Sequence, residues 1–220
     1  MCLILFGPPG SGKGTQAQLL KEALNVPHIS TGEILRERVA SKDEVGERVA
    51  AIMQSGALVP DETVNQIVID RVAQPDCAQG FILDGYPRTA AQAKLLSELL
   101  AGRGIDPVVV HLKVDYNVIV ARLAGRRQCP TCGTLYNQAP DAPALTACNR
   151  DGTKLVVRED DRPEVVRERL LAYERQTAPV LDVLRAAGYQ MCEVDGGSGA
   201  APVIAKRILE TIDTPTRNAA

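Results

Sequence analysis

A glycine-rich loop near the amino terminus constrains the fold of this chain more than any other feature. Residues 7–13 (GPPGSGK) fit the pattern G-x-x-x-x-G-K and follow an apolar run at residues 3–6, which predicts a buried strand. A helix is predicted from Lys13 to about Asn25. Glycines let successive backbone N–H groups turn toward a phosphate, and the helix start adds the positive end of its dipole. The loop therefore indicates a phosphate site; the alternative is a glycine-rich turn without a ligand.

The residues after this loop narrow the kind of phosphate site. Gly14 follows Lys13 where the motif usually has Ser or Thr, and Thr15 comes one position later. This order resembles nucleoside monophosphate kinases more than GTPases or motor ATPases. It implies that Mg²⁺ is held mainly by water and nucleotide oxygens, helped by a carboxylate elsewhere. Asp84, at the end of the second predicted strand, is the candidate; its alternative role is a helix cap or a turn residue.

Strand-like and helical patterns alternate along most of the chain. Further strands are predicted at residues 80–84, 108–112 and 189–194, followed by helices at 89–103, 116–123 and 201–212. This alternation predicts an α/β fold with a parallel sheet covered on both faces. Two segments interrupt it: residues 31–73 have helical patterns without a strand, and residues 126–160 contain clustered cysteines, prolines and glycines. A long helix is then predicted over residues 163–187, and a frayed tail over residues 214–220.

Composition and charge limit the classes of protein to which this chain can belong. The 220 residues suffice for one principal domain with insertions, and with no tryptophan and two phenylalanines the core must be mostly aliphatic. The net charge of −2 argues against general nucleic-acid binding. No apolar run approaches the ~18 residues of a membrane span, and the apolar start is too short and lacks the basic leader of a signal peptide. We therefore expect a cytoplasmic protein with no membrane or nucleic-acid partner. We also expect a monomer, since no repeated apolar surface pattern demands a partner.

Three cysteines and one aspartate have the spacing of a metal site. Cys129 and Cys132 form one C-x-x-C pair, and after fifteen residues Cys148 and Asp151 repeat the same spacing. Two such knuckles can bring four ligands to a tetrahedral, structural Zn²⁺, for which a carboxylate oxygen is an acceptable ligand. The alternatives are free thiols without a metal, or a site completed by histidine or water.

A zinc knuckle can also mark a module that binds nucleic acid or protein. This segment lacks the interleaved basic and aromatic residues of such modules. Its arginines flank the segment instead: Arg122, Arg126 and Arg127 before it, Arg158 and Arg169 after it. That placement predicts a lid that brings positive charge over a phosphate chain. The other cysteines, Cys2, Cys77 and Cys192, are expected to be reduced thiols.

Three further motifs, in this order behind the phosphate loop, resemble those of adenylate kinases. They are residues 30–33 (STGE) with Arg36, residues 58–62 (LVPDE), and residues 84–88 (DGYPR) with Gln92. The resemblance extends from Met1 to about Ile212. It implies a P-loop three-layer fold with a central parallel five-stranded sheet. The implied parts are a core of residues 1–29, 60–125 and 161–220, a helical monophosphate-binding insertion of residues 30–59, and a small zinc-stapled lid of residues 126–160.

The resemblance also implies the reaction. Members of this family transfer the terminal phosphoryl group of ATP reversibly to AMP with Mg²⁺, giving two ADP. Family members that phosphorylate UMP or CMP usually have alanine at the position of Thr31, so AMP is the expected acceptor. Glu33 replaces the more usual aspartate. The rivals are a kinase for another monophosphate, a kinase that uses GTP as donor, and a nucleotide-binding regulator that has lost catalysis.

The site residues follow from the resemblance, position by position. The implied catalytic residues are Lys13, Asp84, Arg88, Arg126, Arg158 and Arg169. The implied ATP-binding residues are Gly10, Ser11, Gly12, Lys13, Gly14, Thr15, Arg122, Arg126, Leu135, Tyr136 and Ser198. The implied AMP-binding residues are Thr31, Gly32, Arg36, Ala57, Leu58, Val59, Gly85, Tyr86, Pro87, Arg88, Gln92, Arg158 and Arg169. Asp160 and Asp161 are expected to form ion pairs that hold the lid shut. Residues 137–147 depart most from the family, because Pro, Ala and Asp replace its usual aromatic run.

Overall fold

The main sheet of the protein has five parallel strands. A computed structural model describes residues 1–138 and 144–212 of the chain. The strands of the main sheet are β1 (Cys2–Phe6), β2 (His28–Ser30), β3 (Phe81–Asp84), β4 (Pro107–Lys113) and β7 (Gln190–Asp195). Their order across the sheet is β2-β3-β1-β4-β7. A second, antiparallel sheet pairs β5 (Arg126–Gln128) with β6 (Leu135–Asn137).

Nine α-helices of the described ranges surround these sheets. They are α1 (Lys13–Leu24), α2 (Thr31–Ser41), α3 (Glu44–Ser55), α4 (Asp61–Val72), α5 (Ala90–Ala101), α6 (Tyr116–Ala124), α7 (Pro163–Ala172), α8 (Val180–Ala186) and α9 (Ala201–Ile212). Strand β1 shows how they cover the sheet, because its side chains alternate between two apolar clusters. Ile4 packs in the cluster with α4, α5 and α8, whereas Leu3 packs in the cluster with α1 and α9. The sheet is therefore buried on both faces.

The strand register brings the phosphate loop and Asp84 to one edge of the sheet. Leu5 pairs with Asp84 on one side and with Val110 on the other. The carboxyl ends of parallel strands meet at one edge, where ligands bind in open α/β sheets. The loop after β1 and the carboxylate that ends β3 are therefore neighbours.

The helical insertion follows strand β2 of the main sheet, and the lid follows helix α6. Helices α2 and α3 follow β2, and the Ser30 hydroxyl caps α2 by accepting a hydrogen bond from the Glu33 N–H at 3.3 Å. The lid contains β5 and β6, and its small apolar cluster consists of Cys129, Cys148 and Leu155. Among the described residues, no helix is both long enough and apolar enough to cross a membrane.

Most elements predicted from the sequence are confirmed, and two predictions need correction. The patterns gave no strand at residues 28–30, yet the short β2 forms there as the outer strand beside β3. The single long helix predicted over residues 163–187 is wrong. A π-helical segment, Tyr173–Thr177, and a turn at residues 178–179, which includes Pro179, separate α7 from α8. Proline has no N–H to donate to the preceding turn, so the helix cannot continue regularly through it.

The predicted tail over residues 214–220 lies outside the described residues. The same is true of residues 139–143 in the segment that departs most from the family.

Candidate active site

The phosphate loop has the backbone that its glycines predict. Gly12 precedes α1 with φ of 95°, a left-handed conformation that favours glycine, and Gly10 has φ of 83°. The ammonium of Lys13 folds back over the loop and donates to the carbonyls of Gly7 at 2.7 Å and Pro8 at 2.9 Å. The lysine charge and the start of α1 therefore lie at the same point, which suits a polyphosphate.

Lys13 lies in a strongly positive environment. Its pKa is lowered to about 8, chiefly by burial; the charge of Asp84 acts in the opposite direction, and the nearby charges of Arg88, Arg169 and Arg126 add to the lowering. A phosphate anion bound beside this ammonium would favour the charged form.

This lowered pKa predicts proton uptake on nucleotide binding. At about pH 9, Lys13 is mostly neutral in the free protein but charged in the nucleotide complex. Nucleotide binding therefore takes up close to one proton per molecule, and the affinity for nucleotide falls as the pH rises above 8. Calorimetry of ATP binding in buffers of different ionisation enthalpy measures the uptake. We expect it to be larger at about pH 9 than at about pH 7.5, and to disappear in Lys13→Gln. Equal uptake by wild type and Lys13→Gln at the higher pH would contradict the assignment.

Asp84 is a buried carboxylate beside the loop. A Cβ placed on Gly14 would lie 3.4 Å from Asp84 Oδ2, which is van der Waals contact, so position 14 directly adjoins this carboxylate. His28 Nε2 lies 3.4 Å from the same oxygen. Burial would raise the pKa of Asp84, but His28 and the charge of Lys13 outweigh it and hold the pKa below its ordinary value. Asp84 is therefore ionised, as a group that assists Mg²⁺ must be.

A cavity of about 500 Å³ contains most of the residues predicted to bind ATP. Its lining includes Gly10, Ser11, Gly12, Lys13, Gly14, Thr15, Arg122, Arg126, Leu135 and Tyr136, together with Asp84. Ser198 is not brought into this lining, although Gly196 and Gly199 on either side of it are. The Ser198 carbonyl instead accepts a hydrogen bond from Arg207 at 3.1 Å.

A second cavity of about 70 Å³ contains most of the residues predicted to bind AMP. Its lining includes Thr31, Gly32, Arg36, Ala57, Leu58, Val59, Gly85, Arg88, Gln92 and Arg169. Tyr86, Pro87 and Arg158 line the larger cavity instead. Thr31 Oγ1 and Arg88 Nε both donate to the Gly85 carbonyl, at 2.9 and 2.8 Å. Arg36, Arg88 and Arg169 line both cavities and therefore mark their boundary.

Two aspartates pair with the arginines around this boundary. Asp160 Oδ2 lies 3.1 Å from Arg169 and 3.5 Å from Arg36. Asp161 Oδ1 lies 3.1 Å from Arg169 and 3.2 Å from Arg126. The ion pairs predicted for these two aspartates are present, and they join the lid arginine Arg126 to Arg169 of α7.

Asp161 is expected to contribute to folding stability. Its side chain is fully buried, so Asp161→Asn removes the ion-pair partner of Arg126 and leaves Arg169 with Asp160 alone; it should lower the free energy of unfolding by about 2 kcal/mol. Chemical denaturation measures this change. The matched control Asp182→Asn disrupts an ion pair whose carboxylate is 81% exposed, and should change stability by less than about 0.5 kcal/mol. Equal effects of the two substitutions would contradict the prediction.

Arg158 has an unpaired donor. It is 8% exposed, and its Nε donates to the Gln128 amide oxygen at 2.7 Å. Its Nη2 is buried without a hydrogen-bond partner among the described residues. Burial and the nearby charges of Arg36 and Arg126 lower its pKa to about 10. A buried cation with an unused donor suits an anionic ligand better than a structural role.

The lid brings the four predicted metal ligands together. The ligand atoms of Cys129, Cys132, Cys148 and Asp151 all lie within 4.8 Å of one another. The sulfurs of Cys132 and Cys148 are 3.6 Å apart, and Cys129 Sγ is 3.4 and 3.5 Å from the Asp151 oxygens. Ordinary tetrahedral Zn²⁺ bonds would give about 3.8 Å between sulfurs and about 3.5 Å between sulfur and oxygen. Hydrogen bonds from Thr153 hold the pKa of Asp151 well below its ordinary value, so the carboxylate is ionised. The donor set therefore fits zinc.

Two residues of the site were not singled out for a functional role by sequence reasoning. His28 touches Asp84, and Asp61 accepts a hydrogen bond from Gln92 Nε2 at 2.7 Å. Asp61 lies in the quoted LVPDE motif, but no pattern in one sequence connects positions 61 and 92.

The sheet order, the phosphate loop and the arginines between two cavities together define a P-loop nucleoside monophosphate kinase. Comparisons with known proteins identify its family. A sequence model of the family described as "Adenylate kinase" matches residues 5–189. An adenylate kinase of Thermosipho melanesiensis is 44% identical over 214 residues, which is 96% of this chain and 99% of that protein. Adenylate kinases of Anaeromyxobacter sp. (strain K) and Syntrophotalea carbinolica are each 47% identical, covering 89% of this chain and 92% and 91% of their own lengths. The chain belongs to the adenylate kinase family.

Proposed function

We propose that the two cavities carry out the reaction of this family, the reversible transfer of the terminal phosphoryl group of Mg²⁺-bound ATP to AMP, giving two ADP. The larger cavity binds ATP and the smaller one binds AMP. The observation that carries this proposal is the position of Arg36, Arg88 and Arg169 in the linings of both cavities. A phosphoryl group passing between the two nucleotides crosses this boundary.

Catalysis in this arrangement is positioning and charge stabilisation. The transition state of phosphoryl transfer spreads negative charge over the equatorial oxygens, so no protein nucleophile is needed. Lys13, Arg88, Arg126, Arg158 and Arg169 supply the positive charge and bind the phosphate oxygens. Bound Mg²⁺ supplies further charge neutralisation on the ATP phosphates. Asp84 would help hold this ion through water, since Gly14 offers no hydroxyl ligand.

The two nucleotides are distinguished by the groups around their bases. We assign the ATP base to the region of the lid residues Leu135 and Tyr136 and the loop at Ser198. We assign the AMP base to Thr31 and Gln92, with Arg36 and Arg88 on the AMP phosphate. Planar guanidinium groups bind phosphate through paired N–H donors, which lysine does less well.

The insertion and the lid exclude water from the transfer. We assign residues 30–59 to the acceptor insertion, residues 126–160 to the lid, and residues 1–29, 60–125 and 161–220 to the core. Water would otherwise compete with AMP for the phosphoryl group. A structural Zn²⁺ on Cys129, Cys132, Cys148 and Asp151 stabilises the lid, which has little apolar core of its own. We further propose a monomer that works in the cytoplasm.

Initial rates with different acceptors test the proposed function. ADP formation is followed with Mg²⁺, ATP and each of AMP, UMP, CMP and GMP, with Lys13→Gln as the inactive control. We expect rapid turnover with AMP alone. A preference for UMP or CMP would contradict the acceptor assignment around Thr31, and no turnover with any of them would contradict the assignment as a kinase.

A further inference from the structure

A chain of short hydrogen bonds holds the Gln92 side chain at the wall of the smaller cavity. Gln92 is only 2% exposed and lines this cavity. Its Oε1 accepts from the Arg88 backbone N–H at 2.7 Å, and its Nε2 donates to Asp61 Oδ1 at 2.7 Å. Both ends of the amide are therefore bound to the protein.

These two partners allow only one orientation of the amide. A backbone N–H can only donate, so the atom facing Arg88 must be the oxygen. An ionised carboxylate can only accept, so the atom facing Asp61 must be the nitrogen. A flipped amide would place an N–H against the Arg88 N–H and an oxygen against the carboxylate, and would lose both hydrogen bonds.

Asp61 is itself held in place. It begins α4, and its second oxygen, Oδ2, accepts from the Thr89 hydroxyl at 2.7 Å. The Thr89 oxygen in turn accepts from the Gln92 backbone N–H at 3.2 Å. The carboxylate therefore has a hydrogen-bond donor on each oxygen and a fixed position beside Gln92.

We propose that Asp61 is a positioning residue that selects the acceptor base by fixing the Gln92 amide. This inference rests on the proposed function, which places the AMP base against Gln92. Each polar atom of the amide retains one further hydrogen-bonding position, an N–H on Nε2 and a lone pair on Oε1. This pair complements a 6-aminopurine, which offers an amine donor beside a ring-nitrogen acceptor. A 6-oxopurine offers an acceptor beside a ring N–H, so both contacts become repulsive unless the amide flips.

Asp61→Asn tests this role with little change of shape. Asparagine can offer either a donor or an acceptor to Gln92. The residue at position 61 then no longer opposes a flip of the Gln92 amide, while the Arg88 backbone N–H still does. Binding of AMP and of its 6-oxo counterpart, inosine monophosphate, is measured by calorimetry. We expect the ratio of the two affinities to fall about tenfold in Asp61→Asn. The matched control Glu62→Gln removes one charge from the exposed neighbouring position of the same helix turn and should leave the ratio unchanged.

A double-substitution cycle separates this role from a general effect on the pocket. In a Gln92→Leu background there is no amide to orient, so adding Asp61→Asn should leave the affinity ratio unchanged. Side-chain amide signals in ¹⁵N-labelled protein provide a second readout without ligand. The Gln92 signals should shift in Asp61→Asn but not in Glu62→Gln.

The possible outcomes decide the inference independently of the proposed function. Equal losses of AMP and inosine monophosphate affinity in Asp61→Asn, or the same fall in ratio without Gln92, would overturn it. Unchanged Gln92 signals in Asp61→Asn would also overturn it. Turnover of AMP by the wild-type protein tests the proposed function alone. If the wild type is active but Asp61→Asn has the same ratio of AMP to inosine monophosphate affinity as the wild type, only the role of Asp61 is rejected.

Discussion

Replacement of Arg88 by lysine is expected to lower kcat by about 10²- to 10³-fold. Arg88 lines both cavities, and its Nε is anchored to the Gly85 carbonyl, so its remaining donors are held at the boundary where we propose that transfer occurs. Burial and the charge of Arg169 lower its pKa to about 10, which leaves it charged at neutral pH. Lysine keeps the charge but cannot bind two oxygens in one plane while anchored to Gly85.

Steady-state kinetics with AMP as the varied substrate measure this effect. The matched control is Arg185→Lys, the same substitution at an exposed position on α8 whose guanidinium pairs with Asp182. The control should retain the kcat of the wild type. A rise in KM for AMP with unchanged kcat in Arg88→Lys would mean that Arg88 only binds AMP, which contradicts its proposed catalytic role.

Substitution of Cys148 by serine is expected to release the proposed lid zinc and unfold the lid. The lid has short strands of three residues each and an apolar cluster of Cys129, Cys148 and Leu155, which is too small to fold without a staple. Structural zinc contributes about 10 kcal/mol or more to the folding of small sites of this kind. Proteolysis within residues 126–160 should therefore become at least about 100-fold faster, while the main sheet remains folded.

Metal analysis and limited proteolysis measure this effect together. The control Cys192→Ser alters a buried thiol of the main core that contacts Gln190 and the Thr211 carbonyl, and it should keep its zinc. Wild-type protein treated with a strong chelator should behave like Cys148→Ser. Full retention of zinc by Cys148→Ser would contradict the assignment of the metal site. So would a zinc-free lid that resists proteolysis as well as the lid of the untreated wild type.

Local patterns predicted the parts of the fold that depend on neighbouring residues. The apolar β1, the glycines behind it and the start of α1 at Lys13 are specified within a few residues of one another. The short β2 has no such signal, because it has only three residues (HIS) and forms through its pairing with β3. The interruption between α7 and α8 was missed although Pro179 marks it.

Sequence reasoning did not predict the contacts in the site that join positions far apart in the chain. The resemblance to the family indicated most residues of the two cavities, but it gave no partner for Gln92 or Asp84. Asp61 is 31 residues from Gln92, and only the fold brings the two side chains to 2.7 Å. The spacing of the cysteines, by contrast, was sufficient to predict that Cys129, Cys132, Cys148 and Asp151 lie together, because the residues of each C-x-x-C or C-x-x-D pair are close in the chain.

Transfer of a labelled phosphoryl group tests the central claim most directly. ATP labelled on its terminal phosphate is incubated with Mg²⁺, the protein and an equal mixture of AMP, UMP, CMP and GMP, and the products are separated. The account predicts that the label appears in the β-phosphate of ADP formed from AMP, with little inorganic phosphate. Label found mainly in another diphosphate or in inorganic phosphate would contradict it.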